Sequence, residues 1–95
     1  MGATVIVQAK IKDAEKLAEY SKAAGGTVAE HGGAFTLRAP VLENLTGNVD
    51  IDRFVMIEFP DADTARGWYQ SAEYQALIPI RDEAAFMVFS LVETT

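Results

Sequence analysis

The sequence predicts one α+β domain of β-α-β-β-α-β order, with a single sheet that is apolar on both faces. Three observations carry this. Four segments are rich in β-branched and aromatic residues. The stretches after the first and third of them carry small or apolar residues at helical spacing, each behind an aspartate cap. And 95 residues leave room for one domain, 1–95, with no linker, repeat or low-complexity tract to divide it.

The elements follow in order. Thr4 to Ile11 reads as a strand. Asp13 can cap a helix on which Ala14, Leu17, Ala18, Ser21 and Ala24 form a stripe of mostly small residues. Gly25-Gly26 should weaken or kink that helix, and Gly32-Gly33 should stop it. Ala34 to about Glu43 reads as an edge strand, because Pro40 lacks a ladder donor. Thr46-Gly47-Asn48 reads as the hairpin tip, and Asp52 to Phe59 as the next strand. Asp61 caps a helix from Ala62 to Gln70, and Ser71 a short one from Ala72 to Ile78. Pro79 ends that helix or opens another turn, and Phe86 to Glu93 is the last strand. Right-handed crossovers and one hairpin turn this order into a four-stranded antiparallel sheet with helices on one face, the ferredoxin-like architecture.

A sheet covered on one side only should alternate cleanly between apolar and polar. These strands do not. Val55, Ile57 and Phe59 point one way, and Phe54, Met56 and Glu58 the other. Ile6, Val88 and Val92 share that second, mixed face. Each large apolar side chain left in water forgoes about 1.5–3 kcal/mol. The simplest cover is a second copy of the same sheet, so a homodimer of two facing sheets is expected. For the hairpin, placing Arg38 opposite Glu58 pairs Leu37 with Phe59, Ala39 with Ile57, Val41 with Val55 and Glu43 with Arg53. That register sets Arg38 and Glu58 together on the mixed face, either as the polar end of a ligand cavity or as an interface ion pair.

Composition narrows the function. The 14 acidic residues outnumber 8 basic ones, and the basic ones form no stripe, which disfavours nucleic acid. There is no cysteine, hence no disulfide or thiolate chemistry. The apolar start, Ala3 to Val7, is too short for a signal peptide or a membrane span, so a soluble cytoplasmic protein is expected. No phosphate loop, dinucleotide fingerprint, nucleophile elbow or zinc motif is present, and no cofactor or metal is expected.

The candidate site residues each carry two readings. His31, the single histidine, has the intrinsic pKa of a general base but also suits a helix end, where a cation is favoured. Trp68 and Tyr69 stand about 100° apart around their helix, so one enters the core and the other flanks it or walls a pocket. Asp61 and Asp63 read as helix-start acids more readily than as a carboxylate pair. Arg81, in the turn before the last strand, reaches a cavity mouth or pairs with Asp82 and Glu83.

Gly32-Gly33-x-Phe35-x-x-Arg38, Arg53-x-x-x-Ile57-Glu58-Phe59-Pro60 and Ala65-x-x-Trp68-Tyr69-x-Ser71-x-Glu73-Tyr74, with Arg81 beyond them, resemble the signatures of domain of unknown function 1330, a family of the dimeric α+β-barrel superfamily. The resemblance covers nearly the whole chain. It implies a ferredoxin-like subunit and a dimeric barrel, and it implies no reaction. His31 stands where tyrosine is frequent, and Ala39-Pro40 where glycines are usual. Two functions stay open. One is a dimer that binds a small acidic or aromatic molecule, with or without cofactor-independent catalysis as found elsewhere in the superfamily. There Arg38 would anchor the ligand, Glu58 or His31 would move a proton, and Trp68 and Tyr69 would wall the pocket. The other is a non-catalytic dimeric module with structural or regulatory duties.

Overall fold

Eight elements follow one another in a computed structural model that describes residues 2–94. They are β1 (Ala3–Ile11), α1 (Ala14–Glu30), β2 (Ala34–Pro40), β3 (Arg53–Phe59), α2 (Ala62–Gln70), α3 (Ala72–Gln75), α4 (Ile78–Ala84) and β4 (Ala85–Glu93). The four strands form one antiparallel sheet in the order β2-β3-β1-β4. The helices bury the face that carries Val5, Val7, Ile57 and Phe59, which pack with Leu17, Tyr20, Val28, Trp68 and Tyr74. The molecule is a slab of 32 × 31 × 16 Å, one sheet thick and one helix layer thick. This is the expected ferredoxin-like α+β fold.

Local chemistry explains where the helices begin and end. The Asp13 carboxylate accepts from the Lys16 N–H at 3.1 Å and so satisfies one free amide of α1. Asp61 does the same for α2, accepting from the Thr64 N–H and hydroxyl, each at 2.7 Å. Contrary to expectation, α1 runs unbroken through Gly25-Gly26. The buried Ala24, Thr27 and Val28 flank the pair, and their packing offsets the helix cost of about 1 kcal/mol per glycine. Gly32, at φ +76°, supplies the left-handed stop. Gly33 is required by space: a Cβ there would lie 2.6 Å from Cε1 of the buried Phe59. The short helix expected over 72–78 is two helices, α3 and α4, because Pro79 falls in the first turn of α4 and opens it. Arg81 therefore sits on a helix, not in a turn.

The β2–β3 register differs from the expected one. Arg38 lies opposite Val55, and Ala34 opposite Glu58. Two causes act. A bulge at Thr36, between Phe35 and Leu37, inserts one residue into β2. And the ladder stops at Pro40, so residues 41–52 form a long loop where strand and hairpin tip were expected. The Asp52 N–H donates to Ala9 O at 2.9 Å and its carboxylate accepts from the Ile11 N–H at 2.8 Å, which ties the loop's end to β1. Phe35 faces the helices, and without the bulge Leu37 would as well. With it, Leu37 turns outward and Arg38 turns inward. Arg38 and Glu58 therefore lie on opposite faces and form no pair.

Candidate functional site

The stripe on α1 leaves room above the sheet. Ala14, Leu17, Ala18, Ser21 and Ala24 all line a cavity of about 350 Å³ between α1 and the strands. Four of these five side chains are too small to reach the sheet, and Ala9 and Val7 opposite are small as well. The closest backbone neighbours of α1 are α4 and α3, whereas α2 lies directly against β1, β3 and β4. The walls are apolar apart from Arg38, Arg53, Ser21, Tyr20 and the Trp68 indole.

Two guanidinium groups belong to this cavity. Arg38 is carried inward by the bulge, and its Cζ stacks 3.9 Å above the Phe35 ring, a contact worth about 0.5–1 kcal/mol at an exposed site. Arg53 opens β3 opposite Ala9, and its Nε is buried without a hydrogen-bond partner among the described residues. A buried polar group left unpaired costs about 1–3 kcal/mol, more when charged. Its sequence neighbour Asp52 is held against the end of β1: besides accepting from the Ile11 N–H, the Asp52 carboxylate meets Lys10 at 3.4 Å, while Lys10 reaches Asp50 at 3.0 Å.

That clamp predicts an acid response. The Ile11 N–H, chiefly, and then Lys10 hold Asp52 below its ordinary value of 3.8; the Thr64 hydroxyl and N–H do the same for Asp61. A carboxyl depressed in the folded state stabilises the fold above its unfolded pKa and loses that contribution as pH falls through the folded value. Melting temperature should therefore hold from pH 7 to about 5 and fall below about pH 4. Asp52→Asn should flatten part of that fall. An unchanged pH profile in the variant would remove Asp52 from the account.

A second cavity of about 380 Å³, more open, lies between α2 and β4. Trp68, Met87 and Phe89 form the wall that both cavities share. Tyr69 and Arg81 line the second. Arg81 Nη1 donates to the hydroxyls of Tyr69 at 3.0 Å and Tyr74 at 3.2 Å, and its Nε donates to Asp82 at 3.2 Å. The Tyr74 hydroxyl meets that of Tyr20 at 2.7 Å. Burial, first of all, holds both of these phenols above the ordinary tyrosine value of 10.0, so they are neutral at physiological pH.

The residues singled out from sequence are thus divided. Arg38 and Trp68 border the first cavity; Trp68, Tyr69 and Arg81 border the second. Glu58 is exposed on the outer face of β3. His31 caps α1, its Nδ1–H donating to Thr27 O at 2.9 Å, and it lines neither cavity. Of the aromatic pair, Trp68 is the one in the core, 1% exposed, and Tyr69 flanks it. Sequence reasoning passed over Arg53 and Tyr20 as site residues, and took Tyr74 only as an aromatic suited to a pocket wall. Arg53 and Tyr74 stood inside the quoted motifs, and Tyr20 lies three residues after Leu17 and four before Ala24, on the same helix face. Among the described residues, no three His, Asp or Glu side chains gather as a metal site would require, and no helix is long and apolar enough to cross a membrane.

Similarity to known structures is broad and distant. A protein of unknown function from Rhodopseudomonas palustris superposes with a TM-score of 0.83 at 16% identity, over 99% of this chain and 82% of that one. A dimeric ferredoxin-like protein of unknown function from Jannaschia sp. CCS1 gives 0.80 at 10%, over 99% and 100%. SnoaB, a cofactor-independent oxygenase from Streptomyces nogalater, gives 0.74 at 12%, over 99% and 93%. At these identities the likeness is one of fold. No curated protein matches the chain. The family model described as "Domain of unknown function (DUF1330)" matches residues 3–95, and the chain belongs to that family.

Proposed function

We propose that this protein is a homodimer whose subunits each hold a small organic acid with an apolar, ring-sized body in the cavity between α1 and the sheet. The observation that carries the reading is the cavity itself: apolar walls, two arginines, and one of them with a buried, unpartnered Nε. A carboxylate is the natural complement, since it can accept from a guanidinium through both oxygens. Apolar walls with a few placed polar groups are the usual make-up of a small-molecule site. Arg38 and Arg53 anchor the acid, and Trp68 and Phe89 wall the body. Among the described residues no carboxylate or imidazole lines the cavity, so the reading is one of binding, with any chemistry resting on the ligand's own reactivity. The resemblance to an oxygenase that needs no cofactor is compatible with this, as an analogy of fold.

The dimer rests on the outer face of the sheet. Ile6, Phe54, Met56, Phe86, Val88, Val92 and Leu37 share it, and no helix covers them. Phe86 is 60% exposed in the single chain. The similar protein from Jannaschia is dimeric.

Thermal shift with 2-naphthoate tests the cavity, with 2-naphthamide as the neutral control. A ligand at a hundred times its Kd stabilises the fold by about 2.7 kcal/mol. For a domain of this size that is a rise of roughly 10–20 °C. Arg38→Ala and Arg53→Gln should each remove most of the acid's shift and leave that of the amide unchanged. No shift with any aromatic acid at millimolar concentration would favour a sealed, non-catalytic module instead.

A further inference from the structure

The hydrogen-bond chain Arg81–Tyr74–Tyr20 has one proton more than it has acceptors. A guanidinium only donates, whereas a phenol donates once and accepts. Arg81 gives a proton to the Tyr74 oxygen at 3.2 Å, and the Tyr74 and Tyr20 oxygens share one hydrogen bond of 2.7 Å. Two phenol protons are present, and that bond uses one of them. Neither hydroxyl has a further acceptor among the described residues.

Which phenol keeps the unspent proton follows from the Arg81 contact: accepting from a cation polarises the Tyr74 hydroxyl and makes it the better donor. Tyr74 is 0% exposed and lines neither cavity, so a proton left on it would be stranded in the core. Tyr20 lines the first cavity. The chain therefore runs from Arg81 to Tyr74 to Tyr20, and the unspent proton stays on Tyr20, the one of the two phenols that borders the cavity. Both phenols are neutral, which keeps that proton available.

We propose that Tyr20 donates this hydrogen bond to a second polar atom of the bound molecule, so that the ligand is an aromatic or otherwise apolar acid bearing a neutral carbonyl-type oxygen at its far end. This rests on the binding reading above and sharpens it. Arg53 and Ala14 lie at the end of the cavity where β1 passes into α1, and Tyr20 is six residues further along the helix. At 1.5 Å per residue the Cα of Tyr20 stands roughly 9 Å along α1 from that of Ala14, a separation of the same order as the length of a bicyclic acid. Tyr20 here is a binding residue; Arg81 and Tyr74 are positioning residues that set which way its proton points.

The test uses two probes that share a carboxylate and a ring system, 6-acetyl-2-naphthoate and 6-isopropyl-2-naphthoate. Titration calorimetry on the wild type should show the acetyl compound binding roughly tenfold more tightly, the value of one unstrained neutral hydrogen bond. Tyr20→Phe should weaken the acetyl compound to the level of the isopropyl compound and leave the latter unchanged. Tyr74→Phe removes the group that orients the Tyr20 hydroxyl, so the acetyl preference should shrink while the affinity for the isopropyl compound holds; this arm serves if Tyr20→Phe does not fold, and an undiminished preference there would overturn the chain. Equal affinities in the wild type, or an equal loss for both probes in Tyr20→Phe, would overturn the role of Tyr20 and leave the cavity reading standing, provided Arg53→Gln weakens both. If neither probe binds, the cavity reading falls and this inference falls with it.

Discussion

Replacing Trp68 with alanine is expected to destabilise the protein by about 3–5 kcal/mol. The side chain is 1% exposed. Its ring lies 4.6 Å from Tyr74 and 5.5 Å from Phe59, centroid to centroid, with Tyr69 and Phe89 further round. Its Nε1–H donates to the Thr27 hydroxyl at 2.9 Å, and that hydroxyl donates in turn to Ala24 O at 2.8 Å. The indole therefore ties α2 to the C-terminal turn of α1 on the same face of the sheet, and truncation would also merge the two cavities it separates. Domains of this kind are stable by about 5–15 kcal/mol, so the loss is a large part of the whole. Melting temperature should fall by roughly 15–35 °C. Trp68→Phe keeps most of the ring contacts and removes the hydrogen bond, so its cost should be well under half as great. Near-equal melting temperatures for Trp68→Ala and wild type would show that α2 is held by something else.

Trp68 was legible in the sequence because helical spacing allows one of two adjacent aromatics into the core. The strands were legible for a similar reason. In β1, β3 and β4 the side chains alternate with period two over seven to nine residues, and long-range pairing then follows from apolar meeting apolar. What could not be read was where β2 departs from that rule. The run from Val41 to Leu45 looks like more strand, yet Leu42 and Leu45 are 95% and 92% exposed. The ladder stops there because β1 captures Asp52, a contact across 41 residues that no local pattern records. The bulge at Thr36 carries neither glycine nor proline to mark it. These two features together move Arg38 from the outer face to the cavity, so the residue was identified and its surroundings were not. The same limit applies to Tyr20. Its position on the helix is plain, but its partner Tyr74 is 54 residues away, and only the packing of α3 beside α1 joins them. The stripe of alanines on α1 was visible as small residues; that it frames empty space becomes evident only when the opposing strand residues prove small as well.

Met56→Lys is expected to convert the proposed dimer, twice 10.3 kDa, into a folded monomer. Met56 sits on β3 between Ile6 of β1 and Leu37 of β2, directly opposite both, and so at the centre of the outer face. Its side chain points away from the helices and takes no part in the core, so the subunit itself should keep its circular dichroism and most of its melting temperature. In a two-fold interface every substitution is made twice. Two lysines brought together and cut off from water, with Glu58 two residues along β3 as the nearest acid on that strand, would cost several kcal/mol. A loss of about 4 kcal/mol weakens association roughly a thousandfold, enough to move a sub-micromolar dimer out of the micromolar range. Sedimentation equilibrium at 1–50 µM, as about the working range of that shift, reads the change directly. Ala23→Lys, an exposed substitution on α1 and so on the helix side of the molecule, is the control that should leave the dimer intact. If the wild type sediments as a monomer, or Met56→Lys remains a dimer, the outer face of this sheet is not where two copies meet, and the seven large apolar side chains on it need another cover.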